Sequence, residues 1–189
     1  MKKLLCVIGP SGSGKSTYVH YVKEKMHFGE IISTTTRVPR KGEIDGVDYH
    51  FVSHQEFLEM DMIQRDEYAN QFYGTAQKDL DNAYQNNDFA FMVVTYEGAQ
   101  MFKKLFVERN FDIEVVTVFI YTPIEELRQR MIHRGDDIEK VNERIDNIQK
   151  RKEYENKEKT DYVFYVDINH SLEESCENFQ SFIMDIIER

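Results

Sequence analysis

The sequence predicts an α/β fold, a three-layer sandwich in which helices cover both faces of a parallel sheet. Three observations predict it. Near-continuous apolar runs occur at Leu4–Ile8, Phe89–Val94, Val115–Tyr121 and Tyr162–Val166, as expected of parallel strands buried on both faces. Apolar stripes lie between and after them: Val19/Val22/Met26, Ile124/Leu127/Met131 and Leu172/Cys176/Phe179/Ile183/Ile186. Their spacing puts each set on one face of a helix. A glycine-rich segment, Gly9–Ser16, joins the first apolar run to the first stripe, giving the strand–loop–helix order of a P-loop unit.

Element by element, three helix starts carry a capping-box pattern: Ser53 with Glu56, Thr122 with Glu125, and Ser171 with Glu174. Pro123 follows Thr122 at the first helical position, where a missing N–H costs least. Two segments depart from the strand–helix alternation. Residues 34–86 are polar, with strand candidates at Val47–Val52 and Tyr68–Gly74 and two short helices, and read as a subdomain inserted over the sheet edge. Residues 134–159 are densely charged around one thin stripe, Ile138, Val141, Ile145 and Ile148. They read either as an exposed amphipathic helix or as a hinged lid. The expected organisation is one domain, 1–189, with its core in 1–33, 87–133 and 160–189.

Bulk properties narrow the partners. The formal net charge is −10 and the pI is about 5.1, so the mean field repels a nucleic-acid duplex or an anionic membrane. The apolar stretch near Met1 is too short for a signal sequence or a membrane span, and a cytoplasmic location is expected. Cys6 and Cys176 belong to no CxxC or Cys/His cluster, and two reduced thiols are expected. The six histidines show no metal-ligand spacing.

Gly9-Pro10-Ser11-Gly12-Ser13-Gly14-Lys15-Ser16 fits the phosphate-loop pattern G-x-x-x-x-G-K-[ST], with Thr17 following. Glycines let successive backbone N–H groups turn toward phosphate oxygens at the positive end of the next helix. Lys15 is placed to reach the β- and γ-phosphates of ATP, and Ser16 to ligate Mg²⁺. The pattern is specific for a nucleoside triphosphate and less so for the reaction that follows. A second basic segment runs from Ser33 through Arg37, Pro39 and Arg40 to Glu43. Two arginines three residues apart, preceded by hydroxyls, suit a phosphate monoester; on charge alone a solvated basic turn is the better reading.

Together with Gly46-Val47-Asp48-Tyr49-His50-Phe51-Val52-Ser53, that segment resembles the signature of guanylate kinases, and the likeness runs from about residue 3 to residue 186. The resemblance implies a five-stranded parallel core sheet, a small mixed subdomain that binds the nucleoside monophosphate, and a helical lid. It implies ATP as phosphoryl donor, Mg²⁺, and GMP or dGMP as acceptor. It implies that Ser33, Arg37, Arg40, Tyr49 and Tyr73 hold the GMP phosphate. Glu67 would accept from guanine N1–H and the 2-amino group, and Thr75 would donate to O6. Arg134 and Arg144, with Arg130 one turn earlier, resemble the arginines that close on the transferring phosphate.

Val93 and Thr95 stand where the family pattern has two acids, the 67–73 hairpin is shorter than usual, and Val166-Asp167 lacks the usual Asn-Asp pair. These departures leave two other readings open. One is a related kinase of another phosphorylated acceptor, such as ribose 1,5-bisphosphate. The other is a guanylate-kinase-like binding module, against which the intact phosphate loop argues.

Overall fold

The computed structural model describes residues 1–40, 42–68 and 70–189. Lys41, within the basic segment, and Ala69, within the expected Tyr68–Gly74 strand, lie outside the described residues.

The chain forms β1 (Lys2–Ile8), α1 (Lys15–Met26), β2 (Gly29–Glu30), β3 (Thr34–Thr35), β4 (His50–Phe51), α2 (His54–Glu59), β5 (Met62–Tyr68), β6 (Gln71–Ala76) and α3 (Gln77–Ala83). It continues with β7 (Phe89–Val93), α4 (Tyr96–Glu108), β8 (Ile113–Tyr121), α5 (Ile124–His133) and α6 (Ile138–Lys150). A 3₁₀ turn at Glu153–Lys159, β9 (Tyr162–Tyr165) and α7 (Leu172–Ile187) complete it. The core sheet has five parallel strands in the order β2-β7-β1-β8-β9. A second, mixed sheet has the order β4-β3-β6-β5.

Alternation along β1 explains the three layers. Leu5 and Val7 enter one apolar cluster with Tyr18, Val19, Val22, Phe179 and Ile183 of α1 and α7. Leu4, Cys6 and Ile8 enter the other with Leu80, Phe102 and Phe106 of α3 and α4. Period-2 alternation sends neighbours to opposite faces, so a strand apolar at every position needs a helical layer on each. Both cysteines are free and buried, Cys6 in the α3/α4 cluster and Cys176 in the α1/α7 cluster. No helix among the described residues is long and apolar enough to cross a membrane.

Several local expectations change. Helix α4 had not been expected, although Ala99, Phe102 and Phe106 are buried at helical spacing. The expected Val47–Val52 strand shrinks to His50–Phe51, while the expected Tyr68–Gly74 strand spans the end of β5 and most of β6, which pair as a hairpin. The capping boxes at Ser53 and Ser171 form completely. The third does not: Pro123 is the N-cap of α5, and no side chain caps that helix. Thr122 instead donates its hydroxyl hydrogen to the Ser13 carbonyl, 3.3 Å away, fastening the end of β8 to the glycine-rich loop. The charged stripe forms α6, an amphipathic helix packed on α5. Val141, Ile145 and Ile148 bury against Leu127 and Met131, each worth about 1.5–3 kcal/mol by area, whereas Ile138 stays 63% exposed.

Candidate active site

The glycine-rich loop leaves β1 after Ile8 and enters α1 at Lys15. Gly14 caps α1 in the left-handed region at φ 94°. A Cβ there would stand 2.8 Å from Tyr18 Cε2, so only glycine fits without displacing the ring. No side chain caps α1, and no acid occupies its first turn. Its first N–H groups and positive end therefore remain available to an anion. Ser13 is buried and its Oγ has no partner among the described residues, while Ser16 and Thr17 are exposed. The Lys15 ammonium donates to the carbonyls of Gly9 (2.7 Å) and Pro10 (2.9 Å). Burial lowers its pKa to about 8; the Glu153 carboxylate opposes that shift and the Arg40 guanidinium adds to it.

Across the site, β3, β4 and β6 bring the acceptor-side residues together. Arg37 forks onto Glu43 with both contacts at 2.9 Å, and its guanidinium lies 5.3 Å from the Tyr49 ring centroid and 5.6 Å from that of Phe51. Tyr49 meets Tyr73 edge-on at 6.1 Å. Glu43 also accepts from the Arg40 backbone N–H at 2.6 Å. One carboxylate thus holds both arginines of the basic turn, a bidentate geometry that sequence spacing did not reveal. Ser33 leads into β3, its carbonyl accepting from the His50 N–H. Thr75 is fully buried, with its Oγ1 unpartnered among the described residues.

Register separates Glu67 from this group. In the β5–β6 pair Glu67 stands opposite Phe72, and Asp66 stands opposite Tyr73. Directly opposed residues of an antiparallel pair share a face. Phe72 stacks on Phe57 of α2, and Arg65, two residues from Glu67, lies over the same Phe57 ring. Glu67 therefore belongs to the exposed α2 face. Asp66, with Gln64 opposite Thr75, belongs to the Tyr73 face. Strand register thus places Glu67, the acid expected from the sequence, on the face away from Tyr73 and puts Asp66 on the Tyr73 face.

The third group comes from α5 and α6. Arg134 and Arg144 both pair with Asp136, Arg134 through Nε at 3.1 Å and also through Nη2. Arg130 pairs with Glu126 at 2.8 Å and lies beside the Tyr18 hydroxyl. Arg40 has its pKa lowered by burial first, then by Arg37 and Arg144. Lys15, Arg40 and Arg144, from three separate parts of the chain, are therefore linked by charge repulsion through Arg40.

A family model described as guanylate kinase matches residues 1–186. The chain is 35% identical to the guanylate kinase of Helicobacter pylori, across 98% of this chain and 88% of that one. The chain belongs to the guanylate kinase family. It is likewise 35% identical to the guanylate kinase of Fusobacterium nucleatum, across 95% of each chain. The crystal structure of guanylate kinase from Anaplasma phagocytophilum aligns with a TM-score of 0.68 at 28% identity, covering 97% of this chain and 85% of that one. A shikimate kinase from Bacteroides thetaiotaomicron shares the fold, with a TM-score of 0.53 at 15% identity and coverage of 100% and 99%.

In this guanylate kinase family member, the two positions without acids have structural work. Val93 packs against the α1/α7 cluster. Thr95 is the N-cap of α4, accepting from the Gly98 N–H at 3.1 Å. Glu97, in the first turn of α4, lies close enough to Glu153 to raise the pKa of that acid, although burial is the larger cause and Lys15 and Arg151 oppose it. Asp167 accepts from the backbone and side chain of Asn169 at 2.9 and 3.0 Å. Among the described residues no group of three or more His, Cys, Asp or Glu is placed to hold a metal.

Proposed function

We propose that the protein transfers the γ-phosphoryl group of ATP to the phosphate of GMP, and of dGMP, giving ADP and GDP or dGDP. The observation that carries this reading is the uncapped, acid-free N-terminus of α1 with the partly buried Lys15 behind it, within electrostatic range of the Arg37/Arg40 turn that Glu43 holds beside Tyr49. Like charges gathered in a partly buried site become favourable when a polyanion enters between them.

In this reading residues 9–17 hold the triphosphate through backbone N–H groups, with Lys15 turning from its carbonyl partners to the β- and γ-phosphates. The exposed Ser16 hydroxyl, at the start of α1, fits a Mg²⁺ ligand; Mg²⁺, when bound, offsets charge on the β- and γ-oxygens. Ser33, Arg37, Arg40, Tyr49 and Tyr73 hold the GMP phosphate. The unpartnered Thr75 hydroxyl suits guanine O6, and Asp66 replaces Glu67 as the acid for guanine N1–H and the 2-amino group. A GMP phosphate oxygen attacks the γ-phosphorus, and the bond to the β–γ bridging oxygen breaks. Positioning and charge stabilisation supply the rate, since phosphoryl transfer asks little covalent chemistry of the protein. Arg134 and Arg144, on a lid formed by residues 134–159, neutralise the transferring group, with Arg130 behind them. Residues 34–86 act as the acceptor-binding subdomain, and the cytoplasm, where both nucleotides are soluble, is the compartment.

The test is ADP formation from Mg²⁺·ATP with GMP, dGMP, IMP, AMP, CMP, UMP and ribose 1,5-bisphosphate. Turnover confined to GMP and dGMP is expected. Turnover only with ribose 1,5-bisphosphate, or ATP binding with no turnover on any acceptor, would overturn the assignment.

A further inference from the structure

The Arg134–Asp136–Arg144 arrangement has a purpose that local stability does not require. Helix α5 ends on Arg134 in a Schellman motif. The Asp136 N–H donates to the Met131 carbonyl (3.1 Å), and the Gly135 N–H to that of Ile132 (2.9 Å). Gly135 takes the left-handed φ of 83° that this motif needs. The very next residue, Asp137, is the N-cap of α6, accepting from the Glu139 and Lys140 N–H groups. Gly135 and Asp136 are therefore the only two residues between the C-cap of α5 and the N-cap of α6, and the Asp136 backbone is fixed from both sides.

Both caps are complete without the Asp136 side chain. Its carboxylate instead takes Nε and Nη2 of Arg134 and Nη1 of Arg144. This leaves Nη1 of Arg134, and Nε and Nη2 of Arg144, without a hydrogen-bond partner among the described residues. Arg144 is also within electrostatic range of Arg40, across the acceptor site. Two guanidiniums drawn together repel; one shared carboxylate offsets that repulsion while occupying only one edge of each. The Asp136 side chain is only 18% exposed, so water screens this contact weakly.

We propose that Asp136 is a positioning residue that joins Arg134 and Arg144 into one fork, whose free edges receive the phosphoryl group in transfer. The inference rests on the phosphotransferase reading above. It goes beyond it by assigning the geometry of the arginine pair to a carboxylate that does not itself touch the nucleotide.

The test compares wild type, Asp136→Asn, Asp136→Glu, Arg144→Lys and the Asp136→Asn/Arg144→Lys double variant. All are assayed with Mg²⁺·ATP and GMP, and all are melted thermally. A loosened catalytic pair costs about 10²-fold when displaced by roughly 1 Å. Asp136→Asn is accordingly expected to lower kcat about 10- to 100-fold, with KM for both nucleotides within about threefold and the melting temperature within a few degrees of wild type. Asp136→Glu should recover part of kcat, and the double variant should lose little more than the worse single variant, because both changes undo one unit. Unchanged kcat in Asp136→Asn, or losses that multiply in the double variant, would overturn the inference while wild-type turnover left the function intact. A fall in kcat that merely tracked the melting temperature would assign Asp136 to stability and overturn it too. Wild-type protein inactive on GMP would remove the functional reading, and this inference with it.

Discussion

Between Gly9 and Ser16 the groups offered to an anion are mainly backbone N–H groups of one contiguous loop, Pro10 contributing none. Between Ser33 and Thr75 they are side chains drawn from a mixed sheet and from the loops that lead into its strands. The first region is specified locally, since loop conformation and the first turn of α1 set every donor at once. The second depends on which side chains register brings to one face, and on the carboxylate of Glu43 holding Arg37 beside the Tyr49 and Phe51 rings. Backbone sites therefore tolerate sequence change around them, whereas side-chain sites can lose or shift a member by a single residue. The absence of acids at Val93 and Thr95, and the placement of Asp66 rather than Glu67 on the Tyr73 face, both fall on the side-chain half.

The largest expected effect lies in the backbone half, at its one essential side chain. Lys15→Ala should reduce kcat about 10³-fold, as loss of a group that stabilises transferring charge does, with GMP binding unchanged by calorimetry. Retained turnover would mean the backbone N–H groups suffice. The next effect tests register. Asp66→Asn should lower kcat/KM for GMP about 10- to 100-fold, the cost of an unsatisfied charge-assisted pair, while Glu67→Gln stays within about threefold. The reverse ranking would show that the hairpin presents its other face to the base. The smallest effect concerns the acid that is missing. Thr95→Ala should destabilise the fold by about 1 kcal/mol through loss of the α4 cap, read by chemical denaturation. Thr95→Asp should keep the cap, and whether its kcat rises tells if charge at this position still matters to the reaction.

Legibility followed the same division. The loop was readable because its pattern is contiguous and its flanks, Leu4–Ile8 and Val19/Val22, are unambiguous strand and helix. The Ser53 and Ser171 caps were readable for the same reason: each closes within four residues. Thr122 carried an equally good local signal and did otherwise, because burial at the end of β8 offered it the Ser13 carbonyl. Helix α4 carries a readable stripe in Ala99, Phe102 and Phe106. Asp66 carried none, since a period-2 strand assigns faces only once its partner is known, and a one-residue slip exchanges them all. Asp136 looked like one more acid in a charged stretch until the two helix caps fixed its backbone.

The sequence by itself determined the layer order, the phosphate loop, and the family to which the acceptor segment belongs. Those rest on periodicity and on short contiguous patterns whose chemistry is complete within a few residues. Only the tertiary structure decided that Asp66 shares a face with Tyr73, that Glu43 and Asp136 each hold two arginines, and that Lys15, Arg40 and Arg144 form one linked group of charges. These depend on distances between residues far apart in the chain, which packing and strand register set and no local pattern encodes.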